Sequence, residues 1–256
     1  VVASTLVLPW PAAGALSKPV ATQPSLAWIS MVLVLPEHRG RGYATQLLRE
    51  SLEWLAEPDQ RHLTPLLDAT PAGHPVYLKL GFRDQWGFTR WERRTPLGKH
   101  PAPATESIIA LADWGINDPN RASVLALDQI AFGADRRTLL DDLVRRAPHL
   151  ALARRSNDTV RGFLMARPGR QATQLGPLVA HDAETAIALA DCALSRIEGP
   201  VFLDVPDARR DIEPWLDRHG FTRQRPFTRM ALIHPGTAIP HNQRCAIVAV
   251  AGPELG

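Results

Sequence analysis

The chain of 256 residues contains only two cysteines, Cys192 and Cys245, and they lie far apart in the sequence. Two such thiols provide neither a disulfide framework nor a metal cage, which favours a cytoplasmic protein. The nine histidines form no His-x-x-x-His or His-Glu-x-x-His pair, so we expect no metal site. The longest apolar runs, at residues 31–35 and 245–251, are far shorter than the ~18 residues of a membrane span, which excludes a transmembrane helix.

Charge of either sign is also modest. The net charge is +3 and the sequence pI is about 9.2, which favours an anionic ligand but is too weak to indicate nucleic acid by itself. Hydrophobic residues at 45% and charged residues at 21% exclude a disordered chain, a collagen and a coiled coil. No basic stretch precedes the apolar residues 1–9, so a signal peptide is not predicted. The first residue is not Met, and we expect the amino end to be incomplete.

An ordered pattern occurs twice in the chain. It consists of Leu-Asp, then Gly-Phe, then Phe-Thr-Arg, at residues 67–68, 81–82 and 88–90 and again at 203–204, 220–221 and 227–229. The spacing from Gly-Phe to Phe-Thr-Arg is identical in both copies, which predicts two copies of one supersecondary unit. Residues 96–105 contain three prolines and separate the copies as a stiff linker. The predicted domains are therefore residues 1–95 and 106–256.

Apolar periodicity predicts strands and helices that alternate along the chain, which is typical of an α/β fold. The predicted strands of the first unit are residues 3–8, 26–35, 65–69 and 82–91, with helices at 42–54 and 73–80. The second unit begins with an additional strand at 107–112 and helices at 120–132 and 137–146. It continues with strands at 150–154, 161–166, 174–180 and 201–205, a strand from 221, and helices at 183–197 and 208–219. Residues 244–250 have strand character and are candidates to complete the first unit's sheet.

The strand that ends at Leu35-Pro36 is followed by a loop rich in glycine and arginine that opens a helix. Free backbone N–H groups and the positive end of the helix favour an anion there. Gly40 and Gly42 allow a phosphate to approach the backbone closely, and Arg39 and Arg41 add positive charge. The loop lacks the Gly-Lys-Ser/Thr of a Walker motif and the Gly-x-Gly-x-x-Gly of a dinucleotide site.

These residues resemble the GNAT superfamily of N-acetyltransferases. Residues 39–44, Arg-Gly-Arg-Gly-Tyr-Ala, match the family's pyrophosphate loop, and residues 70–82 match its second block, which ends in Tyr-x-x-Leu-Gly-Phe. The resemblance implies that the first unit transfers acetyl from acetyl-CoA to a primary amine and that Tyr77 protonates the departing thiolate. It implies two GNAT-like units in tandem, each a mixed, bent sheet flanked by helices, and it implies that the pantetheine arm pairs with Val32, Leu33 and Val34. It assigns the pyrophosphate to Arg39, Gly40, Arg41, Gly42, Tyr43, Ala44 and Thr45.

The second unit departs from this pattern. Aligning Leu178-Val179 with Leu33-Val34 places residues 180–185 at the loop, where no glycine occurs and two acidic residues would repel pyrophosphate. Leu216 stands opposite Tyr77. We therefore interpret the second unit as a degenerate GNAT fold that supports the first unit or shapes the acceptor site.

Several alternatives stay open at the level of sequence. The chain is either an acetyltransferase or a non-catalytic acyl-CoA sensor, and its acceptor is a small-molecule or peptide amine. A nucleic-acid-associated protein is the weaker third hypothesis, and it rests on the basic, aromatic cluster Arg83, Arg90, Trp91, Arg93 and Arg94. The oligomer is a monomer or a homodimer.

The sequence does not identify a general base, because Glu37 and His38 would lie near the phosphates while Ser30 and Trp28 are poor bases. A cationic amine has candidate partners in Asp128, Asp135, Asp141 and Asp142, although a charged helix surface is the favoured interpretation of these residues. Four tryptophans, Trp10, Trp28, Trp86 and Trp91, fit either an acceptor pocket or the core.

Overall fold

A computed structural model describes residues 1–11, 25–95, 107–111, 115, 118–157, 159–233 and 246–256; the predicted linker and Cys245 lie outside them. Within these residues the first half contains β1 (Ala3–Trp10), β2 (Ser25–Val34), α1 (Tyr43–Ala56), β3 (Leu63–Ala69), α2 (His74–Lys79) and β4 (Arg83–Arg93). The second half contains β5 (Ile108–Ala110), α3 (Pro119–Phe132), α4 (Arg137–Arg146), β6 (Leu152–Ser156), β7 (Thr159–Arg167), β8 (Thr173–Ala180), α5 (Ala183–Leu194), β9 (Val201–Pro206), α6 (Glu213–Arg218), β10 (Thr222–Ala231) and β11 (Ile247–Ala249).

Two predicted helices are shorter than the sequence suggests. The helix predicted at 208–219 is a 3-10 turn at Arg210–Ile212 followed by α6, because Pro214 has no amide hydrogen to donate to a preceding turn. Helix α5 ends at Leu194 because the next amides form tighter bonds, from Arg196 to the Ala193 carbonyl and from Ile197 to that of Leu194.

The strands form one continuous mixed sheet in the order β1-β2-β3-β10-β4-β9-β8-β7-β6-β5. The pairs β2–β3 and β8–β9 are parallel, and the other pairs in this order are antiparallel. The predicted α/β class with mixed sheet and flanking helices is confirmed. The exchange of strands between the halves is new, since β10 of the second half lies between β3 and β4 of the first.

Alternating side chains divide the core between the two faces of the sheet. On one face, Ile29 and Phe82 pack with the buried residues of α1, while α5 and α6 cover the second half of that face. On the other face, Trp28 and Phe88 belong to the cluster that contains Phe132 of α3 and the apolar side of α4. Helices α3 and α4 therefore cover residues from both halves of the chain.

Two buried ion pairs cross between the halves. The guanidinium of Arg229 donates to both oxygens of Asp68 at 2.9 and 3.0 Å, and that of Arg90 donates to both oxygens of Asp204 at 2.7 Å each. Both aspartate side chains are fully buried. Each Leu-Asp of the sequence repeat thus meets the Phe-Thr-Arg of the other copy, which explains why both patterns occur twice.

The centre of the exchanged strands lies between Phe88 and Phe227. These residues face each other in the β4–β10 register, and their rings stack at a centroid distance of 5.0 Å with an interplanar angle of 7°. The arrangement gives the two copies approximate two-fold symmetry about this stack, because each arginine lies two residues beyond its phenylalanine.

The chain end does not complete the first unit's sheet, so this expectation is wrong. Strand β11 runs antiparallel to β8, with Ile247 opposite Val179 and Ala249 opposite Leu178. The reason is that β8 and β9 diverge, and the backbone of β11 supplies hydrogen bonds to the edges that they expose.

We expect Asp68→Ala to lower the free energy of unfolding by about 3–5 kcal/mol, because Arg229 would stay buried without its counter-charge. Urea unfolding followed by tryptophan fluorescence measures this loss. The double variant Asp68→Leu/Arg229→Met should lose less than the single variant, since it removes both charges. An equal or larger loss in the double variant would contradict this account.

Candidate active site

A cleft opens between β2 and β3. The two strands pair in parallel from Ser25 opposite Leu63 to Trp28 opposite Leu66. Beyond this point β3 pairs with β10, and β2 pairs with β1. Within the described residues, the facing edges of the two strands therefore have unpaired backbone N–H and C=O groups that are free to bind an extended ligand.

The predicted pantetheine residues lie on the β2 side of this cleft. Met31, which precedes them, has a positive φ of 52°, and the β1–β2 register shifts between Ser4 and Leu6. Such a bulge bends the strand and changes where its edge groups point. Leu33 is exposed, whereas Val32 and Val34 are half-buried, and Val32 packs against the cluster beneath α1.

The predicted phosphate loop follows β2 and ends in α1. Gly42 is the N-cap residue of α1 with a φ of 85°, and no side chain caps the helix. Within the described residues, none of the amides of residues 40–45 donates to a backbone carbonyl. Arg39 donates from Nε to the Val34 carbonyl at 3.2 Å, and Arg41 is exposed. Uncapped amides, the helix dipole and a free guanidinium make this loop a site for an anion.

A cleft of about 460 Å³ continues from this loop along one side of α1. Its lining residues are Gly42, Thr45, Gln46, Arg49, Glu50 and Glu53. Two of the predicted pyrophosphate residues, Gly42 and Thr45, therefore border a concave surface large enough for part of a nucleotide.

Tyr77 lies on α2, which follows β3 as the phosphate loop follows β2. Because β2 and β3 are parallel, both segments lie at the carboxyl ends of neighbouring strands, where ligands bind in open α/β sheets. The ring is half-buried against Phe82, at a centroid distance of 6.1 Å, and against Gly73, where an added Cβ would lie 2.9 Å from a ring carbon. Burial raises the pKa of Tyr77 above its ordinary value, which keeps the hydroxyl protonated.

The structure adds two polar features near this edge, the isolation of Ser30, which the sequence suggested only as a poor base, and a pairing of His74 that the sequence did not suggest. Ser30 is 6% exposed, and its Oγ has no hydrogen-bond partner within the described residues. His74 begins the helix that carries Tyr77, and its Nε2 lies 2.8 Å from Asp84 Oδ1. A carboxylate in that position fixes the orientation of an imidazole. No local sequence pattern predicts this contact, because His74 lies on α2 and Asp84 lies on β4.

The corresponding cleft of the second half is closed by the chain itself. Parallel pairing of β8 and β9 ends at Leu175 opposite Leu203, and the tail then enters between them. The Ala180 amide donates to the Ala246 carbonyl at 2.9 Å, and the Val250 amide donates to the Asp204 carbonyl at 3.0 Å. Backbone groups of residues 246–250 thus take the place that is open in the first half.

The second half also lacks a free phosphate loop. Only His181 and Asp182 separate β8 from α5, and Asp182 Oδ1 accepts the Thr185 amide at 2.7 Å as the N-cap. Partial burial raises the pKa of Asp182, but the hydrogen bonds from Thr185 and the nearby Arg161 and Arg154 outweigh it, so the pKa lies below its ordinary value. The carboxylate therefore stays ionised at the position where an anion would bind.

Comparison with known families agrees with this geometry. Models of the acetyltransferase (GNAT) domain match residues 10–84 and residues 124–244. The chain belongs to the GNAT acetyltransferases. The two matches fall in the two halves, so the chain is a tandem GNAT protein.

One relative and two solved structures are similar to this chain. The uncharacterized N-acetyltransferase YitH of Bacillus subtilis (strain 168) is 22% identical over 196 residues, which cover 77% of this chain and 66% of that protein. A proposed acetyltransferase from Pyrococcus horikoshii superposes with a TM-score of 0.74 at 21% identity, over 100% of this chain and 76% of that one. A GCN5-related N-acetyltransferase from Sphaerobacter thermophilus gives a TM-score of 0.58 at 18% identity, over 90% and 76%. At these identities the superpositions establish the fold alone.

The residues that the sequence suggested for nucleic-acid or amine binding are buried or form ion pairs within the GNAT fold. Arg90, Trp91 and Arg93 of the basic cluster are buried, so the cluster is not a surface patch for nucleic acid. Trp10, Trp28 and Trp91 are buried, and Trp86 packs against the same core. The four aspartates proposed for an amine pair with arginines instead: Asp128 with Arg136, Asp135 with Arg137, Asp141 with Arg121 and Asp142 with Arg145.

In the part of the chain that the structure describes, no group of three or more His, Cys, Asp or Glu side chains is placed to hold a metal ion. None of the described helices combines the length and the apolar character needed to cross a membrane. Cys192 is buried within the cluster beneath α5.

We expect Gly176→Ala to displace the tail from the second cleft, because an added Cβ would lie 2.0 Å from the Val250 carbonyl oxygen. Hydrogen exchange of the Ile247 and Val250 amides should accelerate by about tenfold or more. Gly199→Ala is the matched control, since nothing lies within 4 Å of a Cβ there. Unchanged exchange in Gly176→Ala would show that the tail is not held against β8.

Proposed function

We propose that the first half of the chain transfers an acetyl group from acetyl-CoA to a primary amine. The observation that supports this most directly is the asymmetry of the two clefts. The first has open strand edges and an uncapped, glycine-bearing loop, while the second is filled by the tail and capped by Asp182. The chain would therefore bind one acetyl-CoA.

Each part of the first cleft suits one part of acetyl-CoA. The free amides of the loop, together with the guanidinium of Arg41, suit the pyrophosphate, which carries negative charge. The open edge of β2 at Val32, Leu33 and Val34 suits the pantetheine arm, whose amides bind as a short strand does. The groups of both segments lie at the same end of the sheet, as a single extended ligand requires.

Tyr77 is the proposed general acid. The neutral amine of the acceptor attacks the thioester carbonyl, and the carbon–sulfur bond of the tetrahedral adduct then breaks to leave a thiolate. Transfer of the phenolic proton to this sulfur prevents the reverse reaction. Solvent takes the surplus proton from the nitrogen and returns a proton to Tyr77 after each turnover. The raised pKa of Tyr77 keeps that proton on the oxygen at neutral pH, and no hydrogen bond to another described residue competes for it. Backbone amides at the Met31 bulge are suited to polarise the carbonyl.

We expect Tyr77→Phe to lower kcat by about 10²–10⁴-fold while the Kd for acetyl-CoA changes little, because the hydroxyl acts in the chemical step. Steady-state assays with a panel of amines and calorimetric titration measure the two effects. The acid must be protonated, so the rate should fall through deprotonation of Tyr77 only as the pH approaches the pKa that burial has raised. Absence of turnover with every amine, together with normal acetyl-CoA binding, would instead favour an acyl-CoA sensor.

We expect calorimetry to find one acetyl-CoA site per chain, and Arg39→Glu/Gly42→Glu to weaken it by about a hundredfold or more through charge repulsion. Glu184→Gln removes a negative charge at the corresponding place in the second half and serves as the control. Circular dichroism confirms that the variants are folded. Two sites in the parent chain would show that the second half also binds the ligand.

A further inference from the structure

A second cleft, of about 550 Å³, lies at the junction of the two halves on the sheet face opposite α5. It is bordered by strands β4, β7, β8 and β9, by the turn between β7 and β8, and by the tail. Its lining side chains include Arg90, Arg167, Arg170, Gln174, Phe202 and Glu254. None of these residues belongs to the proposed acetyl-CoA site.

Positive charge exceeds negative charge along this lining. Arg90 is 8% exposed and pairs with Asp204 behind it, and Arg167 pairs with Glu254. Arg170 forms no ion pair within the described residues, and Arg167 Nε is buried there without a hydrogen-bond partner. Burial, followed by the neighbouring charge of Arg90, lowers the pKa of Arg167. An anionic group would relieve this crowding of guanidinium groups.

The equivalent position in the first half is filled by side chains, so the fold itself does not require a cleft there. Trp28 and Gln174 hold equivalent positions in the two halves. Trp28 lies opposite Leu66, and Gln174 lies opposite Phe202, the residues that directly precede the two copies of Leu-Asp. The repeat likewise places Trp86 where the second half has Arg225.

The two indoles of the first half enclose Arg229, the arginine that the second half contributes to the pair with Asp68. The guanidinium carbon of Arg229 lies 4.5 Å from the Trp28 ring centroid and 4.4 Å from that of Trp86. In the second half an amide and a guanidinium replace these rings. The space is thereby open, polar and cationic where its counterpart is apolar and filled.

We propose that this cleft binds a small molecule that carries a phosphate or carboxylate group. Arg167 and Arg170 would hold the anionic group, because a guanidinium presents paired donors that match two oxygens of either acid. Arg90 forms the base of the cleft, and Phe202 offers an apolar surface to the rest of the ligand. The volume falls within the range of small-molecule sites.

Glu254 is the competitor for this ligand within the chain. Its carboxylate contacts the guanidinium of Arg167 and is partly exposed, so an incoming anion must displace it or share the arginine. The preceding residue, Pro253, accepts a hydrogen bond from Trp28 Nε1 at 3.2 Å. The tail segment that borders the cleft thus also contacts the first half.

The test is a calorimetric titration of the full chain at low ionic strength with inorganic pyrophosphate and, separately, with citrate. Arg167→Gln/Arg170→Gln should weaken binding by about tenfold or more, and Glu254→Gln should strengthen it by about fivefold, because the first loses donors and the second loses the competitor. Arg94→Gln is the control, since it removes one exposed positive charge outside the cleft. Thermal unfolding confirms that each variant is folded.

Saturable binding that Glu254→Gln strengthens and Arg167→Gln/Arg170→Gln weakens supports the proposal, provided that saturating acetyl-CoA leaves it unchanged. The anion that binds more tightly identifies phosphate or carboxylate as the natural group. Three results would overturn it: no saturable binding of either anion, an equal loss in Arg94→Gln, or displacement of the anion by acetyl-CoA. The last result would place the anion at the loop of the first half. Each readout is independent of acetyl transfer, so failure of the proposed enzymatic function would not imitate failure here.

Discussion

The whole sheet depends on two reciprocal ion pairs, Asp68 with Arg229 and Asp204 with Arg90. Each carboxylate comes from one half of the chain and each guanidinium from the other, and all four groups are buried. A buried charge without its partner is strongly unfavourable, so neither half can satisfy its own aspartate alone. Strands β4 and β10 must therefore cross, which joins two sheets into one and brings α3 and α4 over residues of both halves.

The two halves share one arrangement of strands, so a difference between their clefts indicates a difference in what each cleft can bind. Both halves have a parallel pair of strands that diverges after a few residues, and this divergence creates the space for an extended ligand. In the first half the space is open, and the helix beyond it is uncapped. In the second half a strand of the chain lies in the space and Asp182 caps the helix. Peptide groups and a carboxylate thus satisfy, in the second half, the hydrogen-bonding groups that stay open in the first half.

The face opposite α1 and α5 shows a second asymmetry around the same ion pairs. In the first half, tryptophans stack on the arginine and close the face, whereas Gln174 hydrogen-bonds to both members of the pair in the second half and leaves a cationic cleft. Residues 246–256 connect these regions, since they fill the cleft between β8 and β9 and contact both Trp28 and Arg167. A single segment therefore contacts three distinct parts of the molecule.

Features that depend on neighbouring residues could be predicted from the amino-acid sequence. These are the α/β class, the repeat, and the loop whose glycines adopt positive φ at Gly40 and Gly42. Helix ends were less well determined, as at the end of α5, where the amides that follow Leu194 form tighter bonds than the sequence pattern predicts. Which strands pair, where the tail lies and which arginine each aspartate meets became visible only in the folded chain. The aspartate–arginine pairs join residues 114 and 161 positions apart, and all three features follow from the cost of burying charges and open strand edges, which no local pattern records.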